Sequence, residues 1–137
     1  MQFYTSYYAS KKLDRAKHYL VRTSLGFCRW TPCDEEFPAL APEPEWIGLS
    51  EAEYRPLYIA KLESIGADTF TEWLRLLHNE AEGKSPVLLC YEALRKPGEF
   101  CHRRMFAEWY ESKTGVVIPE LGHQAPAPLP DRQESLF

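Results

Sequence analysis

Tyr, Phe and Thr crowd the first stretch, QFYTSYYA (residues 2–9), which gives way to Ser10 and the polar run KKLDRAKH. That pattern predicts a strand ending in a loop, and LVRTS (residues 20–24) predicts a second. The next segment, Gly26 to Trp46, carries four prolines and cannot form a long helix. A connection of this length in a small domain reads as a lid or binding loop, or as a wrap that packs Phe27, Trp30, Phe37 and Trp46 on the core. From Ser50 the period changes. Ser50 with Glu53 three places on, and Gly66 at the far end, are start and stop signals of a helix in which Pro56 lies near the first turns or divides it. Phe70, Trp73, Leu74, Leu77 and Ala81 recur at spacings of three and four and predict a second helix from about Asp68 to Gly83. PVLLCYE (residues 86–92) is a short continuous apolar run, as in a strand buried on both faces. A third helix follows over residues 101–114, with Met105, Phe106, Trp109 and Tyr110 on one face and Gly115 as its stop. VVIPEL (residues 116–121) predicts a last strand, which Pro119 places at a sheet edge.

Strands that alternate with helices predict a small single α/β domain over residues 1–121, its sheet mostly parallel and flanked by helices. Residues 122–137 are rich in Pro, hold little that can pack, and predict an extended tail ending in QESLF. The 137 residues suffice for one domain, and 45% hydrophobic with 26% charged residues excludes a fibrous or fully disordered chain. A net charge of -4 argues against tight non-specific duplex binding, so any DNA or nucleotide contact is expected to be local. Nineteen aromatics, 14% of the chain, exceed what so small a core requires and point to a pocket or stacking surface. With no apolar run of about 18 residues and no secretory leader after Met1, no membrane contact and a cytoplasmic location are expected. In a reducing compartment Cys28, Cys33, Cys90 and Cys101 are expected to be free thiols.

In open α/β sheets ligands bind beyond the carboxyl ends of the strands. Those positions here hold Arg22, Thr23 and Ser24 after the second strand, Cys90, Tyr91 and Glu92 after the third, and Cys101, His102 and Arg103 at the start of the third helix. Three readings are open. In one, the cysteines pack and the polar groups cap turns or face solvent. In another, Cys90, Glu92, Cys101 and His102 carry chemistry, while Arg103, Arg22 and Ser24 hold an anion, with the helix start favouring a Cys101 thiolate. In the third, the cysteines and His102 bind zinc, yet four residues between Cys28 and Cys33 and ten between Cys90 and Cys101 match no tight zinc knuckle. No metal and no cofactor is therefore expected, and no glycine-rich phosphate loop is present.

The pairing of LLCYE (88–92) with EFCHRRMFAEWY (99–110), after YTSYYAS, LVRTS and LAP (40–42), resembles the family called domain of unknown function 488, in motif order over most of residues 3–120. The resemblance implies a small α/β domain whose shared polar residues correspond to Cys90, Glu92, Cys101, His102 and Arg103; it implies no reaction. The chain departs from the family's Asp-x-Arg pair after an early strand, keeping Arg22 without the acid. The terminal QESLF is similar to the peptide by which bacterial polymerases and repair proteins dock on the replicative sliding clamp, matching at Gln133, Ser135, Leu136 and Phe137. Two expectations follow. One is a replication- or repair-associated protein of bacterial or phage origin, docked on the clamp by its tail and acting on nucleic acid or a nucleotide. The other is a non-enzymatic clamp-binding adaptor or inhibitor, of a kind that a phage or mobile element encodes.

Overall fold

The computed structural model describes residues 1–94 and 98–122. Four strands, β1 (Tyr4–Tyr7), β2 (His18–Arg22), β3 (Glu35–Glu36) and β4 (Ser85–Cys90), form one sheet in the order β1-β4-β2-β3, and every pair is parallel. The helices are α1 (Glu51–Ile65), α2 (Ala67–Glu80) and α3 (His102–Thr114). The domain is thus the expected α/β type with a parallel sheet. No helix of the described residues is long and apolar enough to cross a membrane.

The predicted caps form. Ser50 Oγ accepts from the Glu53 amide at 3.2 Å while the Glu53 carboxylate accepts from the Ser50 amide at 3.1 Å, a reciprocal capping box that fixes where α1 begins. Pro56 lies inside α1, which continues through it to Ile65. Gly115 ends α3 with φ +78°, a left-handed conformation that costs a residue without Cβ little.

Strand alternation divides the interior in two. Val21 and Leu88 face the helices and join Tyr58, Leu62, Phe70, Leu74 and Phe106 in the main core. Leu20, Val87 and Leu89 face the opposite side, where Tyr8 and Cys28 complete a smaller cluster against loops. Helices therefore cover one face of the sheet and irregular chain covers the other.

Three details differ from the sequence reading. The segment from Gly26 to Trp46 is not a plain loop: Glu35–Glu36 pair with Val21 and Arg22 at the sheet edge, and two 3-10 turns follow at Pro38–Leu40 and Pro44–Trp46. Its wrapping role is partial, because Phe37 and Leu40 are buried whereas Phe27 and Trp30 are more than 70% exposed. The expected last strand, VVIPEL, reduces to one parallel bridge between Thr5 and Glu120 outside β1, so the edge position holds while the strand does not. Pro119 has no amide hydrogen to continue a ladder. The tail residues Gln133, Ser135, Leu136 and Phe137 lie outside the described residues.

Candidate functional site

Leu88 faces the helices, so Cys90, two residues on, faces them too, at the carboxyl end of β4. The chain returns at Cys101, the residue that precedes α3, and its φ of -147° is extended backbone. Thr23 follows β2 and is tied to β4 by its amide and its hydroxyl, both donated to the Leu89 carbonyl at 3.0 and 2.8 Å. A strand end, a helix start and a neighbouring strand end thereby meet. The Cys90 and Cys101 sulfurs are bonded to each other as a disulfide, with Cα atoms 7.5 Å apart. The expectation of four free thiols is corrected: only Cys28 and Cys33 remain free. Ten intervening residues in sequence said nothing of how the fold closes the distance. Cys101, 3% exposed, is accordingly no accessible thiolate at a helix start, and burial pushes the Cys33 thiol up to about 11.

His102 is buried next to this pair. Its Nε2 lies 2.9 Å from the Thr23 carbonyl, which can only accept, and 3.1 Å from Thr23 Oγ1, whose hydrogen goes to Leu89. The network assigns the proton to Nε2 and leaves the Nδ1 lone pair aimed at Cys101 Sγ, 3.7 Å away. Burial holds the imidazole pKa down at about 4, with Arg103 and Lys61 pushing the same way and the Thr23 carbonyl opposing. The ring is neutral at physiological pH.

Arg103 does not face a ligand. Its side chain is fully buried; Nε and Nη2 donate to the two Glu120 carboxylate oxygens at 3.0 and 2.8 Å, and Nη1 donates to Cys90 Sγ at 2.8 Å and to the Glu92 carbonyl at 2.6 Å. A buried guanidinium requires a counter-charge, and the internal carboxylate takes the place expected for an external anion. Arg22 pairs with Glu36 at 2.7 Å and donates to the Leu25 carbonyl at 2.9 Å in an adjoining small depression that Ser24, Leu25 and Pro42 share with the main cleft and that Lys61 also lines. Ser24 does reach the main site, where its hydroxyl meets Tyr8 OH at 2.7 Å and donates to the Gly26 carbonyl. The expected anion trio of Arg103, Arg22 and Ser24 is therefore not assembled.

Cys90, Glu92, Cys101 and His102 are assembled. All four line one open cleft of about 480 Å³, with Trp46, Ile47, Leu49, Tyr54, Tyr91 and Phe100 also in its lining. Glu92 Oε1 lies 3.6 Å from Cys90 Sγ. The charged side chains among the described lining residues are the carboxylates Glu92 and Glu99, and the nearby Glu92 charge adds to burial in raising the Tyr54 hydroxyl pKa. One ligand atom from each of Cys90, Cys101 and His102 lies within 4.8 Å of the others, a metal-capable grouping that sequence spacing had discounted. Thr23, flagged by its place after the second strand, orients His102, whereas Glu120, which neutralises Arg103 from a segment seventeen positions on, had no sequence signal of its own. No family model, curated protein or solved structure matches the chain, so its site is read from its own geometry.

Proposed function

We propose that the protein is a replication- or repair-associated domain that docks on the bacterial sliding clamp through QESLF and acts in its cleft on a nucleobase of nucleic acid or of a nucleotide. The observation that carries the cleft half of this reading is the gathering of buried Cys90, Cys101 and His102 with exposed Glu92 in the lining of one cleft, rich in aromatic residues, beyond the carboxyl ends of β2 and β4. Trp46, Tyr91 and Phe100 line the cleft with aromatic surface on which a flat ring can stack, each such stack being worth about 1–3 kcal/mol in nucleic-acid complexes, while the buried Tyr54 packs against Trp46 and Phe100. The Glu92 carboxylate accepts hydrogen bonds and donates none when ionised, so an amino-bearing base suits its place in the cleft better than phosphate does. Recruitment rests on the sequence alone: the four matching tail positions, Gln133, Ser135, Leu136 and Phe137, behind a Pro-rich stretch.

Titration of the intact chain with adenosine, cytidine and thymidine tests the cleft reading. The amino-bearing nucleosides should bind at least tenfold more tightly than thymidine, and Glu92→Gln should reduce that preference, since tenfold corresponds to about 1.4 kcal/mol, the size of one hydrogen bond to a charged group. Equal or absent binding of all three overturns it. The second reading, a non-enzymatic clamp-binding adaptor or inhibitor, is favoured by one observation, the engagement of Arg103 with Glu120 instead of with the cleft.

A further inference from the structure

We propose that Cys90, Cys101 and His102 of the reduced chain form a site for a borderline-soft divalent cation, zinc foremost, with its remaining coordination position open to the cleft. The donor set is two thiolate sulfurs and one imidazole nitrogen, a combination that selects zinc over magnesium or calcium. The three ligand atoms come from a strand end, a helix cap and the first helical residue, and they already lie within 4.8 Å of one another.

The surroundings are those that a bound ion requires. His102 donates Nε2–H to the Thr23 carbonyl, which fixes the ring and turns the Nδ1 lone pair toward the sulfurs; a metal-ligating histidine is oriented in this way by its outer partner. Arg103 donates to Cys90 Sγ, supporting a thiolate, while Glu120 cancels the guanidinium charge. Two thiolates and one divalent cation are then neutral together, so nothing buried is left with net charge. The backbone separation also fits. Cα atoms 7.5 Å apart exceed the roughly 4.4–6.8 Å that disulfides usually span, whereas two sulfurs held at about 2.3 Å from one zinc stand about 3.8 Å apart and accommodate a wider backbone. The bonded sulfur pair and the metal-loaded pair are thus alternative states of one site: an external reductant, such as a dithiol that is itself oxidised to a disulfide, supplies two electrons and two protons to open the bond, and the cation then displaces the two thiol protons.

The ligands are only 1%, 3% and 6% exposed, yet each lines the cleft. Three protein ligands with an accessible fourth position is the layout of zinc sites that present a water or a substrate atom, in contrast to the closed four-ligand structural sites. This inference does not depend on the nucleobase or clamp readings, because metal content reports on it alone.

The test is cobalt titration of the full chain under a non-thiol reductant, with zinc as competitor. The expected result is one equivalent bound with the thiolate-to-cobalt charge-transfer band of a four-coordinate ion, displaced by zinc. Cys90→Ser and Cys101→Ser should each weaken binding on the order of a hundredfold or more, His102→Gln should alter the visible bands, and Cys28→Ser or Cys33→Ser should change neither. Zinc protection of the unsubstituted chain against brief alkylation, mapped by mass, covers the case in which a variant fails to fold: Cys90 and Cys101 should be protected and Cys33 should not. Absence of the charge-transfer band in the folded, reduced chain overturns the proposal. So does a band that depends on Cys28 or Cys33, or zinc that leaves alkylation of Cys90 and Cys101 unchanged.

Discussion

Replacing Glu120 by Ala isolates the buried cation on which the site is built. Arg103 has no exposed side-chain surface, and Glu120 receives two of its hydrogen bonds, at 3.0 and 2.8 Å, plus a third from Thr5 Oγ1 at 2.7 Å. Truncation leaves the guanidinium, among the described residues, with Cys90 Sγ, the Glu92 carbonyl and the face of the Tyr7 ring, 6.0 Å away, all uncharged partners in the bonded state. Breaking a buried pair in this way typically costs about 3–5 kcal/mol, and the 10% exposure of the Glu120 side chain, which lets water reach the orphan, places the expected value near about 3. That is a large part of the roughly 5–15 kcal/mol that holds a domain of this kind together. With a urea slope of about 1.5–2 kcal/mol per molar for a chain of this size, the unfolding midpoint should fall by about 1.5–2 M. The double substitution Arg103→Met with Glu120→Leu should recover most of the loss, because the penalty belongs to the orphaned charge more than to the missing contact. A midpoint shift for Glu120→Ala worth less than about 1 kcal/mol, or a double variant less stable than the single one, refutes this account of the buried charge.

Three further outcomes are expected. Ser6→Ala should leave stability unchanged or raise it by about 1 kcal/mol in urea titration, because Ser6 Oγ is fully buried with no hydrogen-bond partner among the described residues. The metal-free chain should lose stability as pH falls from about 6.5 toward 4, by up to about 3 kcal/mol: the unfolded imidazole of His102 takes a proton near 6.5 while the folded one waits until about 4, so acid favours the unfolded state. Proton NMR of its ring should show no titration above about pH 5, and a midpoint near 6.5 contradicts the buried placement. Ser50→Ala should cost about 1 kcal/mol, read by thermal unfolding, through loss of the capping box of α1.

The legible parts of the fold were those with local causes. The Ser50 and Glu53 box, Gly66 and Gly115 bounded helices because caps act over three or four residues, and PVLLCYE showed a central strand because an unbroken apolar run fits one that is covered on both sides. Glu35–Glu36 escaped notice because two acidic residues at a sheet edge carry no hydrophobic period. VVIPEL looked like a strand by composition, but only Glu120 pairs, and its role is electrostatic. For the site, the rule that ligands bind beyond strand ends singled out Cys90, Glu92, Cys101 and His102, and these four line one cleft. What sequence could not show was distance and direction. The gap between Cys90 and Cys101 hid the contact of their sulfurs, and nothing in CHR revealed that His102 turns to Thr23 while Arg103 turns inward to Glu120.

Calorimetric titration of a purified bacterial sliding clamp with the intact chain, and with the chain lacking Leu136 and Phe137, tests the proposed recruitment most directly. A short peptide with few anchors must surrender its own chain entropy on docking, so the intact protein should bind with a dissociation constant of roughly micromolar, about -8 kcal/mol, and the truncated protein should show no measurable heat. Full-strength binding by the truncated chain, or no binding by the intact one, contradicts the account.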